Sequence, residues 1–173
     1  MPLNPVLSGS RVTDRPMWLD LRQEFEEDGA LRDIYATEVD EGAWERAYQF
    51  LLARPGLVFR VAGEESLVPP SAMAWIRLHE TGSPLLQFKR GGIEFACHFF
   101  CNDEIELDFW PQAIEGQESL DDLGLFISEL GRAARRDIVV THENGPELRI
   151  LRYDLALDHV VASIGTRDHD RAK

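Results

Sequence analysis

The chain has 173 residues, 44% of them apolar, with 31 Asp and Glu against 18 Lys and Arg and a formal net charge of −13 at pH 7. That length is enough to bury a real core in one domain without cross-links. The acid excess argues against binding to nucleic acid or to an anionic membrane, both of which need a basic face, and no apolar run approaches a transmembrane length.

Residues 1–13, MPLNPVLSGSRVT, read as a disordered lead with little core material. They lack a basic stretch followed by an apolar run, so they do not read as a signal peptide. Asp14 is placed to cap a first helix with Pro16 in its opening turn, and Trp18, Leu21 and Phe25 follow at helical spacing. Gly29 ends that helix, and residues 31–39 alternate as a strand. Asp40 and Glu41 open a second helix with an apolar stripe of Trp44, Ala47, Tyr48 and Leu51, stopped by Pro55-Gly56. A short strand over 57–61, a turn at Glu64-Glu65, a helix near 71–79 burying Ala72, Trp75 and Ile76, and a strand over 85–88 come next.

Residues 91–112, GGIEFACHFFCNDEIELDFWPQ, form the densest apolar and aromatic run. Ile93, Phe95, Cys97, Phe99 and Cys101 alternate with Glu94, Ala96, His98 and Phe100. After Asn102-Asp103, Ile105, Leu107 and Phe109 alternate with Glu104, Glu106, Asp108 and Trp110. Such alternation marks two strands with one face each on the core. A three-residue loop would pair Cys101 with Ile105, Phe99 with Leu107 and Cys97 with Phe109, keeping one face wholly apolar, because a slip of one residue reverses a strand's faces. This register sets His98 opposite Asp108, Phe100 opposite Glu106 and Ala96 opposite Trp110, on a second face that mixes aromatic rings, acids and one histidine.

Ser119, with Asp122 three residues on, is placed to cap a helix whose core stripe is Leu120, Leu123, Phe126, Ile127, Leu130 and Ala134. Arg132, Arg135 and Arg136 fall at its negative end. A strand over 138–142, a hairpin turn at 143–146 and a returning strand over 148–153 follow. Residues 155–164 suggest a short helix, and the end of the chain a flexible tail over 165–173. The order predicts an α+β fold: a single domain over 14–164 with a largely antiparallel sheet and helices packed mainly on one face.

Cys97 and Cys101 are the only two cysteines. On one strand they would stand about 13 Å apart, too far for a disulfide. Free thiols suit a reducing cytoplasm, the location expected here. The sequence has no Gly-x-Ser-x-Gly elbow, no His-Glu-x-x-His and no phosphate-binding glycine loop. No catalytic residue, cofactor or metal is therefore expected.

The clearest anomaly is electrostatic. From Gly91 to Gly131 there is no Lys or Arg, yet the segment holds ten Asp and Glu residues, from Glu94 to Glu129. Acids at that density repel one another unless something offsets them, so a basic protein partner is expected, although the same acids would also serve solubility alone. The candidate partner-binding residues are Glu104, Glu106, Asp108, Glu115 and Glu118, with His98, Phe100 and Trp110 adding aromatic contact area. By class analogy, small bacterial immunity proteins and antitoxins neutralise a basic toxin through such a face. Two alternatives stay open: a secretion-type chaperone or adaptor holding an effector segment, which predicts a stable homodimer and an exposed apolar patch where the first reading permits a monomer, and a small hydrolase built on His98, Asp108 and Glu106.

Overall fold

The computed structural model describes residues 15–78 and 82–164. Nine strands form one antiparallel sheet: β1 (Arg32–Ala36), β2 (Val58–Val61), β3 (Glu64–Glu65), β4 (Pro84–Arg90), β5 (Ile93–His98), β6 (Ile105–Phe109), β7 (Ile138–His142), β8 (Gly145–Asp154) and β9 (His159–Ala162). Their order across the sheet is β3-β2-β4-β5-β6-β1-β7-β8-β9. Among the described residues four helices complete the α+β architecture: α1 (Trp18–Leu21), α2 (Glu41–Leu52), α3 (Ala72–Leu78) and α4 (Gln117–Ala134). No helix among the described residues is long and apolar enough to cross a membrane. The expected lead over 1–13 and tail over 165–173 lie outside the described residues.

Helix placement follows from capping and from stripes. Asp40 caps α2 by accepting the Ala43 N–H at 2.6 Å, and Trp44, Ala47, Tyr48 and Leu51 are fully buried. In α4, Gly116 is the cap and Ser119 lies one turn inside. The Ser119 hydroxyl reaches back to accept from Gly116 N at 3.2 Å and Glu115 N at 3.0 Å. Ser119 is thus the inner half of a capping arrangement, because the helix starts three residues earlier than its Ser-x-x-Asp spacing suggested. The other end of α4 lies so close to the sheet that a Cβ on Gly131 would collide with the Tyr153 ring. The first helix is shorter than expected: Met17 precedes α1, a 3-10 turn continues over Arg22–Phe25, and Asp14 lies outside the described residues.

One core lies between the helices and one sheet face. Ile93, Phe95 and Cys97 of β5 and Ile105, Leu107 and Phe109 of β6 are buried there, as their alternation predicts. Phe99 is buried with them but has left the ladder, packing against Trp44, Tyr48 and Trp75.

That excursion corrects the hairpin. The observed pairs are Phe95–Phe109, Ala96–Asp108, Cys97–Leu107 and His98–Glu106. The register is therefore shifted by two residues from expectation, and residues 99–104 form the connection. Every face is preserved, since two residues is one full pleat. Cys101 consequently lies in the loop, half-buried, and Cys97 in the core, both as free thiols.

Two further expectations change. Glu64-Glu65 is a short edge strand on β2. The expected helix over 155–164 is a turn leading into β9: Leu155 N donates to Asp137 at 2.9 Å and Leu157 N to Asp154 at 3.0 Å, and Asp158 takes a positive φ of 52°. Aspartates that accept backbone N–H groups locally favour turns over helix, and the β-branched pair Val160-Val161 then extends.

Candidate functional site

The sheet face opposite the helices carries the polar half of each alternating strand. Register places its residues in lateral rows. One runs Arg60, Leu85, His98, Glu106, Tyr35, Val139 and Arg152. The next runs Gln87, Ala96, Asp108, Asp33 and Thr141. Acids and the histidine occupy the middle strands, with an arginine towards each side.

His98 Nε2 and Asp108 Oδ2 lie 2.7 Å apart. The contact is diagonal, because Ala96 is the residue directly opposite Asp108 and its methyl group leaves the carboxylate room to lean across. The expected His98–Asp108 couple therefore forms although the expected register does not. Burial disfavours the imidazolium, but the hydrogen bond and charge of Asp108, with the charges of Glu106 and Asp33, outweigh it and raise the His98 pKa. One face of the His98 ring stacks on Phe100, with ring centroids 4.9 Å apart and planes 4° from parallel. Phe100 is 53% exposed. His98 and Phe100 also line a 190 Å³ hollow with Arg60, Ser83 and Leu85.

Glu106 is the least comfortable group of the face. Partial burial and the Asp33 charge push its carboxyl up to about 7, against the opposing pull of His98. Asp33, 3% exposed, is raised as well, chiefly by burial, although Tyr35 Oη and Asn144 N each donate to Oδ2 at 2.8 Å. Asp33 and Tyr35 were not singled out from the sequence. Their alternation with Ile34 and Ala36 was visible, but nothing local revealed that β1 lies beside β6.

The remaining candidates divide. Trp110, 51% exposed, continues the β6 backbone in extended conformation two residues past Asp108, so it stands at the far end of the same acidic column from Phe100. Glu104 lies at the near end, its pKa raised by burial and then by Asp103. Glu115 and Glu118 are elsewhere: with Asp122 they line a 560 Å³ hollow between the start of α4 and the Gly91-Gly92 turn. The positive end of α4 favours acids there.

Bases from outside the acidic segment offset part of it. Lys89 pairs with Glu94 at 3.1 Å, Arg15 with Asp121, and Arg90 and Arg54 with Glu129. Among the described residues no ion pair reaches Asp103, Glu104 or Glu106 beside Phe100, nor Glu115, Glu118 or Asp122 at the start of α4, so the unbalanced charge is divided between these two places. No group of three or more His, Cys, Asp or Glu side chains among the described residues is arranged to hold a metal ion.

Glu106 gives a stability test. Its folded pKa lies above the unfolded value of 4.5, so between pH 4.5 and about 7 the folded state binds more protons than the unfolded chain. Stability from this group therefore falls as pH rises through that window. Glu106→Gln is expected to stabilise the protein by about 1–2 kcal/mol above pH 7, a figure reduced from the full shift because the carboxylate is partly solvated. The gain should vanish near pH 4, where both forms are neutral. Urea denaturation at the two pH values checks this, and a gain of equal size at both would remove the electrostatic explanation.

Comparison of the chain with family models, with curated proteins and with solved structures finds no match.

Proposed function

We propose that this chain is an acidic partner-binding protein of the immunity or antitoxin type, acting in the cytoplasm by covering the cationic surface of a basic protein partner with its helix-free sheet face. The observation that carries this reading is Glu106: a partly desolvated carboxylate with no ion pair, between the exposed rings of Phe100 and Trp110. A Lys or Arg brought to Glu106 supplies the missing counter-charge, and the two rings supply apolar contact at either end of the acidic column. Glu104 and Asp108 extend the charge along β6, while Glu115 and Glu118 add long-range attraction from the start of α4.

The alternative hydrolytic reading finds less support. Cys97 faces the core with its thiol pushed well above the ordinary range by burial, so it offers His98 no nucleophile on the helix-free face.

The test is capture of partners on the immobilised full chain at low salt, beside a Glu106→Arg, Asp108→Arg variant. A stoichiometric basic partner retained by the wild type and lost by the folded variant is expected. Its affinity should fall as salt screens the charges, and should rise with pH up to about 7 because the partner's cation displaces the Glu106 proton. Undiminished binding by the variant would remove the site, and a salt-independent affinity would replace the charged face with an apolar one.

A further inference from the structure

The two outer strands of the sheet are unlike. At one end β3 is two residues long and both are glutamates, Glu64 and Glu65, exposed to solvent. A short, doubly charged strand is how a sheet edge is protected against pairing with another chain. At the other end β9 reads His-Val-Val-Ala, and β8 is its one ladder partner among the described residues. Residues 159–166 contain no Asp, Glu, Lys or Arg, although charged residues make up 28% of the chain.

Backbone alternation fixes which β9 groups face outward. Ser163 N donates to Ile150 O at 2.9 Å, so the N–H groups of Val160 and Ala162 point away from β8. Beside this edge runs a mainly apolar groove of about 570 Å³ between α4 and β8–β9, lined by Leu120, Leu125, Leu151 and Val160 together with two ion pairs, Arg15–Asp121 and Arg132–Asp158, whose charges cancel. Leu125 is 47% exposed, and Leu157 and Ile164, just before and just after β9, are 62% and 47% exposed. An edge with no second strand partner among the described residues, an open groove and exposed aliphatic residues thus coincide on one side of the molecule.

We propose that this side is a self-association surface: β9 pairs antiparallel with β9 of a second copy, joining two nine-stranded sheets into one. Charge selects the occupant. Two copies carry −13 each and repel, so they approach most readily where neither presents net charge; β9 itself holds no Asp, Glu, Lys or Arg, and the charges beside it cancel in the Arg15–Asp121 and Arg132–Asp158 pairs. Symmetry is satisfied too. Directly opposed residues in an antiparallel pair share a face, so the two-fold axis stands perpendicular to the sheet and passes through a Val160–Val160 or Val161–Val161 pair. That axis keeps both α4 helices on the same side of the joined sheet and brings the two grooves, with their Leu125 side chains, towards each other. The acidic face lies on the opposite side, so this inference is independent of the proposed function.

The test is sedimentation equilibrium of the full chain at roughly 100 μM, where any association tighter than micromolar is saturated. The expected species has twice the 19.7 kDa chain mass, and it should tighten with added salt as screening weakens the repulsion between copies. Ala162→Pro deletes one outward N–H without touching the β8 ladder, and Val161→Lys places a charge beside the axis; each is expected to give a monomer with unchanged far-UV circular dichroism. If Ala162→Pro misfolds, Val161→Lys decides. A wild-type monomer overturns the proposal, including one that instead accepts an extended peptide at this edge. A dimer that persists in a folded Val161→Lys variant overturns it as well, by moving the contact to another face.

Discussion

Trp75→Ala is expected to lower stability by about 3–5 kcal/mol, within the range for emptying a fully buried aromatic site. Trp75 is 0% exposed and packs against Tyr48, Phe59 and Phe99, while its Nε1–H donates to the Tyr48 hydroxyl at 2.8 Å. Helix α3 has only seven residues and would not persist without such packing, so Trp75 is the anchor that holds it on the sheet. Stability in a domain of this kind is about 5–15 kcal/mol, so the variant loses a large share of it. Guanidinium denaturation should show a lower midpoint with an unchanged slope, and Trp75→Phe, which keeps a ring in the site, should recover much of the loss. The variant also tests how the core supports the acidic face. Phe99 begins the 99–104 connection that carries Phe100 and Glu104, and loosening its packing should speed amide exchange there first. A loss below about 1 kcal/mol, as at a surface position, would mean that the site collapses around the missing ring or is not packed as described.

Arg32→Met should cost about 2–4 kcal/mol by a different route. Arg32 is 1% exposed on β1, and its guanidinium donates to the carbonyls of Glu24 at 2.7 Å, Leu31 at 3.0 Å and Glu26 and Ala30 at 3.4 Å, with Asp28 at 3.1 Å. One side chain thus satisfies the irregular backbone between the 3-10 turn and β1. Methionine fills a similar volume but leaves those carbonyls without a donor, which is the expensive outcome. The damage should be local as well as global, with faster proteolysis and amide exchange in residues 18–31 before the sheet is affected. A variant as stable as wild type would show that water replaces the guanidinium at no cost.

The two variants mark what could be read from the sequence and what could not. Alternation in residues 93–109 placed every side chain of β5 and β6 on its correct face, because face depends on parity alone. Register depends on the loop, and Phe99 left the strand to meet Trp44, Tyr48 and Trp75, residues contributed by two distant helices. The His98–Asp108 contact was legible because parity and proximity suffice for it. The roles of Asp33 and Tyr35 were not, since they require β1 to lie between β6 and β7, and no local pattern encodes that neighbourhood. Residues 155–164 misled for the converse reason: aliphatic residues at mixed spacing outweighed the aspartates whose backbone bonds make the turn. The acidic run was read as a single surface, whereas the fold neutralises Glu94, Asp121 and Glu129 and divides the rest between the β6 column and the start of α4.

The central position of β1 bears on how the chain must assemble. β1 precedes every other described strand along the chain, yet both its neighbours come late, β6 at residues 105–109 and β7 at residues 138–142. Strands β2 to β6 and strands β7 to β9 can each form from neighbouring segments as hairpins and short returns, giving two half-sheets with an open edge each. β1 is the seam that joins them, and it must wait, unpaired, until β6 at residues 105–109 is made. Closing that seam brings together the strands most distant in sequence and carries the largest loop-closure entropy of the sheet, so it is expected to be the slow step of folding. A nascent chain released before residue 142 would expose the β1 backbone, which makes the last third of the protein, far from the proposed acidic face, the part that protects the first from aggregation.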